Sequence, residues 1–138
     1  MLFENDYAIF SFRDQDVHEY AKTFNLAQAL ALGNAFEGLY IPYKNYQPKM
    51  PVPRSEQEAH LFKIQQLNFV ISELNLYLDG HPEDLEMFEK CKNLIIEEKR
   101  TVDEYEKKYG PLQFTGDTGM KFSWINGPWP WEGVQNDA

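Results

Sequence analysis

Two apolar stripes of helical period, separated by only a few residues, leave this chain little choice of architecture. The first runs through Ile64, Leu67, Ile71, Leu74 and Leu78 in alternating steps of three and four, widened by Phe62, Val70 and Tyr77. It follows Ser55-Glu-Gln-Glu58, a capping box set directly after Pro53. The second stripe runs through Phe88, Cys91, Ile95, Val102, Tyr105 and Tyr109, with Leu85 and Leu94 alongside. Between them, Asp79-Gly80 is expected to stop the first helix with Gly80 in the left-handed cap position. His81-Pro82-Glu83-Asp84 is expected to open the second, with Pro82 at its first position and acids in its first turn. Tyr109-Gly110-Pro111 stops it. Helices over 55–78 and 82–109 joined this closely must fold back antiparallel with their seams facing.

The pairing has a consequence at the far end. Helices of about 24 and 28 residues measure roughly 36 and 42 Å. Counting outward from the turn brings Leu78 near Leu85, Leu74 near Phe88 and Ile71 near Cys91. The second helix then overhangs the first, leaving the apolar face of Val102, Tyr105 and Tyr109 without a full partner. A two-helix hairpin also buries only one stripe per helix, so something else has to cover it.

The flanking segments differ in character. Residues 1–24 are acidic, with scattered aromatics and weak periodicity. A short apolar pattern follows at Leu26, Ala29, Leu30 and Leu32, bounded by Asn25 as N-cap and Gly33-Asn34 as stop, which predicts one short helix. Pro42, Pro48, Pro51 and Pro53 then force extended, polyproline-like chain. Beyond Gly110 the chain carries Phe114, Phe122, Trp124 and Gly127-Pro128-Trp129-Pro130-Trp131, in which Pro128 and Pro130 block both helix and central strand. This tail either folds back on the hairpin or docks on another chain. The reading is an all-α protein: an antiparallel two-helix hairpin with a short N-terminal helix and extended Pro- and aromatic-rich segments. It divides into an N-terminal part, 1–53, and a hairpin with its tail, 54–138.

Composition narrows the function. Aromatics make up 15% of 138 residues, with eight Tyr, ten Phe and three Trp. One small core cannot easily hide so many rings, which places some of them at contacts with other proteins. A formal net charge of −9 disfavours nucleic acid and anionic membrane surfaces as partners. No apolar run approaches the roughly 20 residues needed to span a bilayer. The first residues bring acids where a secretory signal needs a basic region, so the chain is expected to be made and kept inside the producing cell. Cys91 is the only cysteine, which excludes an internal disulfide framework.

The run Asn68-Phe-Val-Ile-Ser-Glu-Leu-Asn-Leu-Tyr-Leu-Asp79, followed by Gly-His-Pro-Glu-Asp84, Tyr109-Gly-Pro-Leu112 and Pro128-Trp-Pro-Trp131, resembles the spore coat protein JB (CotJB) family over about residues 60–134. Upstream, Asn25-Leu-Ala-Gln-Ala-Leu-Ala-Leu-Gly-Asn-Ala-Phe-Glu-Gly-Leu-Tyr-Ile-Pro-Tyr43 is similar to the core of the small JA-type (CotJA) coat-associated proteins. Together they look like a natural JA–JB fusion. It lacks the long Pro-rich leader of the JA pattern, and residues 1–24 match neither family. The resemblance implies a structural component of the inner spore coat, made in the mother cell. It further implies assembly with a third, JC-type protein similar to ferritin-fold manganese catalases. It brings no active site or cofactor to carry over.

The alternative is a small homo-oligomeric helical bundle with a ferritin-like metal site. Such sites need inward Glu residues and Glu-x-x-His at i, i+3. Here Glu56 and Glu58 precede His60 but position 57 is Gln, and Glu73 lies beside the seam, so surface carboxylates are the better reading. Glu98 falls on the seam, either paired with a cation or solvated with Lys99 and Arg100. Cys91 reads as core packing and His81 as a cap at the turn; His18 and His60 are isolated. No phosphate loop, nucleophile elbow or Cys-x-x-Cys occurs. No catalytic, cofactor or metal residue is therefore expected. The residues expected to bind a partner are Val102, Tyr105, Tyr109, Trp124, Pro128, Trp129, Pro130 and Trp131, the partner being the catalase-like protein or further copies of the chain.

Overall fold

The computed structural model describes residues 22–126 and Trp129. Residues 1–21, and the expectations placed on Pro128, Pro130 and Trp131, lie outside the described residues. Among the described residues three α-helices form the fold: α1 (Leu26–Leu32), α2 (Glu56–Gly80) and α3 (Leu85–Tyr109), with short 3₁₀ turns after α1 and α3. The long helices α2 and α3 pack along each other as an antiparallel hairpin, and α1 packs on α2.

Each helix start is set by a side chain. Asn25 accepts from Gln28 N at 2.8 Å and opens α1, which Gly33 closes in the left-handed region at φ 70°. Ser55 accepts from Glu58 N at 3.0 Å to open α2. The return bond of this capping box goes from Arg54 N to Glu58 Oε2, at 2.5 Å, rather than from Ser55 N.

The turn differs from the sequence expectation. α2 continues through Gly80, and its cap is His81, whose N–H donates to Tyr77 O and Leu78 O at 3.0 and 3.2 Å. The His81 ring stacks on Tyr77 with centroids 4.3 Å apart, and its Nδ1 lies 3.0 Å from Tyr77 O. With the terminal carbonyls satisfied by histidine, Gly80 has no need of the left-handed conformation. Pro82 is not helical either: α3 begins at Leu85, because the Asp84 carboxylate caps Met87 N at 2.9 Å and accepts the Tyr77 hydroxyl at 2.9 Å. One carboxylate thus ties the end of α2 to the start of α3.

This later start removes the expected overhang. α2 and α3 have 25 residues each, so the last turns of α3 meet the first turns of α2. Tyr105 is buried there, its hydroxyl accepting from Gln57 Nε2 at 3.1 Å. His60 packs edge-on against both Tyr105 and Tyr109, with centroids 5.6 and 6.4 Å away, and its Nε2 lies 3.0 Å from Thr101 O. Lys108 pairs with Glu56 at 2.5 Å across the same end.

The α3 seam is also rotated. Buried positions on α3 are Met87, Cys91, Thr101 and Tyr105, whereas Phe88 and Leu85 are 48% and 74% exposed. The expected contacts of Leu78 with Leu85 and of Leu74 with Phe88 are therefore not the ones that fill the core. The cause lies in the segment around α1. Residues 22–24 and 35–37 pair through Phe24 N to Ala35 O (2.9 Å) and Glu37 N to Lys22 O (3.0 Å), closing a loop that carries α1. That loop places Ala29, Ala35 and Phe36 in one core with Val70, Leu74, Met87 and Cys91. Glu73 fixes it by accepting from Ala35 N at 3.3 Å. Phe36 stands 5.1 Å from the Tyr77 ring. The cover of the hairpin comes from this N-terminal flank, and α3 turns its smaller side chains toward it.

Candidate interaction surface in the C-terminal segment

Gly110, at φ 106°, releases the chain from α3, and Glu106 then recaptures it. The Glu106 carboxylate accepts from Leu112 N at 2.9 Å. Gly116 passes close to the same carboxylate: a Cβ there would lie 2.8 Å from Glu106 Oε1, so a larger residue would have to displace the Glu106 side chain. Beyond it, Asp117 organises the loop. Its carboxylate accepts from Trp124 N (2.9 Å), Ser123 N (2.6 Å), Gly119 N (3.4 Å) and the Ser123 hydroxyl (3.2 Å). These donors, Trp124 N–H foremost, hold its carboxyl below the usual aspartate range.

The closed loop displays its apolar side chains outward. Phe114, Met120, Phe122, Trp124 and Ile125 are all exposed, with Phe122 at 61% and Trp124 at 43%, and Trp129 follows at 53%. A polar backbone lock thus holds a contiguous stretch of chain with its rings in water, where each is unfavourably placed unless another surface covers it.

Of the residues expected to contact a partner, Trp124 and Trp129 are exposed and Val102 is half-buried on α3. Tyr105 and Tyr109 instead line the interior end of the hairpin with His60, their rings 5.0 Å apart. Sequence reasoning missed Glu106, Gly116 and Asp117 as the residues that shape the surface, and Met120 and Ile125 as part of it. The available signal was Asp117-Thr-Gly119 followed by Ser123, an acceptor side chain set to bond backbone a few residues on.

Elsewhere, the Cys91 thiol is buried and its pKa is raised by desolvation, so it is held as a neutral packing group. Glu98 is half-buried on α3. No cluster of three His, Cys, Asp or Glu side chains suited to a metal ion occurs among the described residues. No helix among them is long and apolar enough to cross a membrane.

The CotJB protein family model matches residues 58–132, which takes in α2, its turn, α3 and the C-terminal loop. The chain belongs to the CotJB family. CotJB is a spore coat family, generally non-catalytic, and the chain is accordingly a spore coat protein. No curated protein and no solved structure matches the chain. The match begins after α1 and does not include the α1 flank that completes the core.

Proposed function

We propose that this CotJB protein is a non-catalytic assembly component of the spore coat that docks through its C-terminal segment onto a ferritin-fold, manganese-catalase-like coat protein of the JC type. The observation that carries the reading is the Asp117-locked loop with Phe114, Met120, Phe122, Trp124 and Ile125 all exposed. The partner itself is supplied by the family resemblance. We assign Val102, half-buried on α3, and the Trp-Pro-Trp run to the same proposed surface; Tyr105 and Tyr109 pack with His60 at the end of the hairpin away from the turn.

The α1 segment extends the proposal. Residues 25–43 are similar to a JA-type core, and they pack on the hairpin through Ala29, Ala35 and Phe36. We read the chain as a JA-like and a JB-like part joined in one molecule, with the JA-like part closing one flank of the hairpin and leaving the tail for the partner. Expressing the full chain together with the catalase-like protein and separating the mixture by size tests this. Co-elution that is lost on replacing Trp124 and Trp129 with Ala is the expected result. Each ring is worth about 2 kcal/mol at such a contact, or about 30-fold in affinity. Separate elution of two intact folded proteins overturns the reading.

A further inference from the structure

Within this acidic chain, residues 40–54 stand apart: they hold Lys44, Lys49 and Arg54 and no Asp or Glu. They form an arm that leaves the α1 loop at Tyr40 and returns to the fold at Ser55. Ile41, Tyr43 and Tyr46 on this arm are exposed, and among the described residues the only backbone N–H bonded between 41 and 53 is that of Tyr46, to Tyr43 O at 2.9 Å. Pro42, Pro48, Pro51 and Pro53 keep it extended, so little conformational freedom remains to be lost on docking. Such an arm is shaped as a ligand: cationic, aromatic and open along its backbone.

The complementary surface lies on the same molecule. Residues 76–89 contain Asp79, Glu83, Asp84, Glu86 and Glu89 and no Lys or Arg. Asp84 is engaged with Tyr77 and Met87, and Glu89 pairs with Lys92 at 2.5 Å, but Asp79, Glu83 and Glu86 are exposed on the stretch that also exposes Leu85 and Phe88. Leu85 and Phe88 are three residues apart on α3 and therefore neighbours on its surface. The Phe88 ring already attracts an ammonium group, that of Lys92, at 4.9 Å. Among the described residues, positions 41–47 of the arm and Leu85 and Phe88 at the turn end are exposed.

We propose that the arm of one copy docks on the hairpin turn of a second copy, with Lys44 and Lys49 facing Asp79 and Glu83, and Tyr43 or Tyr46 covering Leu85 and Phe88. Each molecule gives one arm and receives one, either reciprocally within a two-fold dimer or head to tail between successive copies. It uses neither the C-terminal loop nor the catalase-like partner and stands or falls apart from that proposal.

Sedimentation velocity on the full chain tests it. In about 0.01 M salt, where charges are felt over about 30 Å, the weight-average sedimentation coefficient should rise with protein concentration. In about 1 M salt, with screening within about 3 Å, it should return toward the monomer value. K44E/K49E and D79K/E83K should each weaken association at least about tenfold while leaving helical circular dichroism and melting unchanged. An equimolar mixture of the two variants should associate again, because each reversed surface meets its reversed complement. A monomer at every concentration in low salt overturns the proposal, as does association that ignores both charge reversals. Failure of the mixture to restore association overturns it equally.

Discussion

Replacing Tyr77 with Phe isolates the bond that fastens the hairpin turn. The Tyr77 hydroxyl donates to Asp84 Oδ2 at 2.9 Å, while the other oxygen of that carboxylate caps α3 through Met87 N. Hydrogen bonds to charged groups contribute about 1.5–3 kcal/mol. Asp84 is half-buried and recovers part of this from water, so Y77F should lose about 1.5 kcal/mol at neutral pH, with the ring contacts to Phe36 and His81 kept. Alkaline pH sharpens the test. Burial first, then the Asp84 bond and charge, raise the Tyr77 phenol from 10.0 to about 12. A folded-state value above the unfolded one contributes stability that is complete below the unfolded pKa and is lost as pH rises through the folded one. By linkage the wild type sheds about 1.4 kcal/mol from this group by about pH 11 and about 2.3 by about pH 12, while Y77F sheds none. The two stability curves should therefore cross near about pH 11, above which the variant is the more stable. Urea titrations followed by circular dichroism between pH 7 and about 12 measure both curves, and titrations shared by the two proteins cancel in the difference. Equal stabilities at pH 7, or a constant difference up to about pH 12, would refute the assignment of Asp84 as the acceptor that joins the two helices.

Three further outcomes follow from named contacts. Phe36→Ala empties the position where the α1 loop meets Tyr77, Val70 and Leu74, and should cost about 3–4 kcal/mol by chemical denaturation. D117A removes the acceptor for Ser123 and Trp124, so Trp fluorescence should change while helical circular dichroism and the main melting transition stay in place. Because the Asp117 carboxyl is held below its ordinary 3.8, the same fluorescence change should appear in the wild type only as pH falls below about 4, through the folded-state pKa. G116V should drive a side chain into the Glu106 carboxylate and free Leu112 N, seen as faster amide exchange there with the α2 core unchanged.

What could be read in advance was what depends on near neighbours along the chain. Asn25, Gly33 and Ser55 act within three or four residues of themselves, and each sits where its type suggests. The α2 seam was legible for the same reason, with Ile64, Leu67 and Leu74 buried as spaced. The α3 seam was not. Which of Met87 and Phe88 faces inward is settled by Ala35 and Phe36, some 50 residues upstream, and no local period carries that information. The overhang failed for a related reason: Pro82 is a good first helical residue, but Asp84 satisfies two groups at once and so starts the helix later. At the surface, the aromatic residues were evident from composition, whereas the lock that presents them depends on Asp117 and Glu106 meeting backbone N–H groups only after the chain has turned.

The account rests on residues 112–126 being a partner's docking surface held ready by the fold. Hydrogen exchange of the full chain, alone and mixed with the catalase-like protein, measures that claim amide by amide. It predicts that amides in 112–126 slow on mixing, while those of Ile64 to Leu74 in the shared core exchange as before. Slowing confined to the α1 loop or the helical core, with 112–126 unchanged in a complex that demonstrably forms, would contradict it.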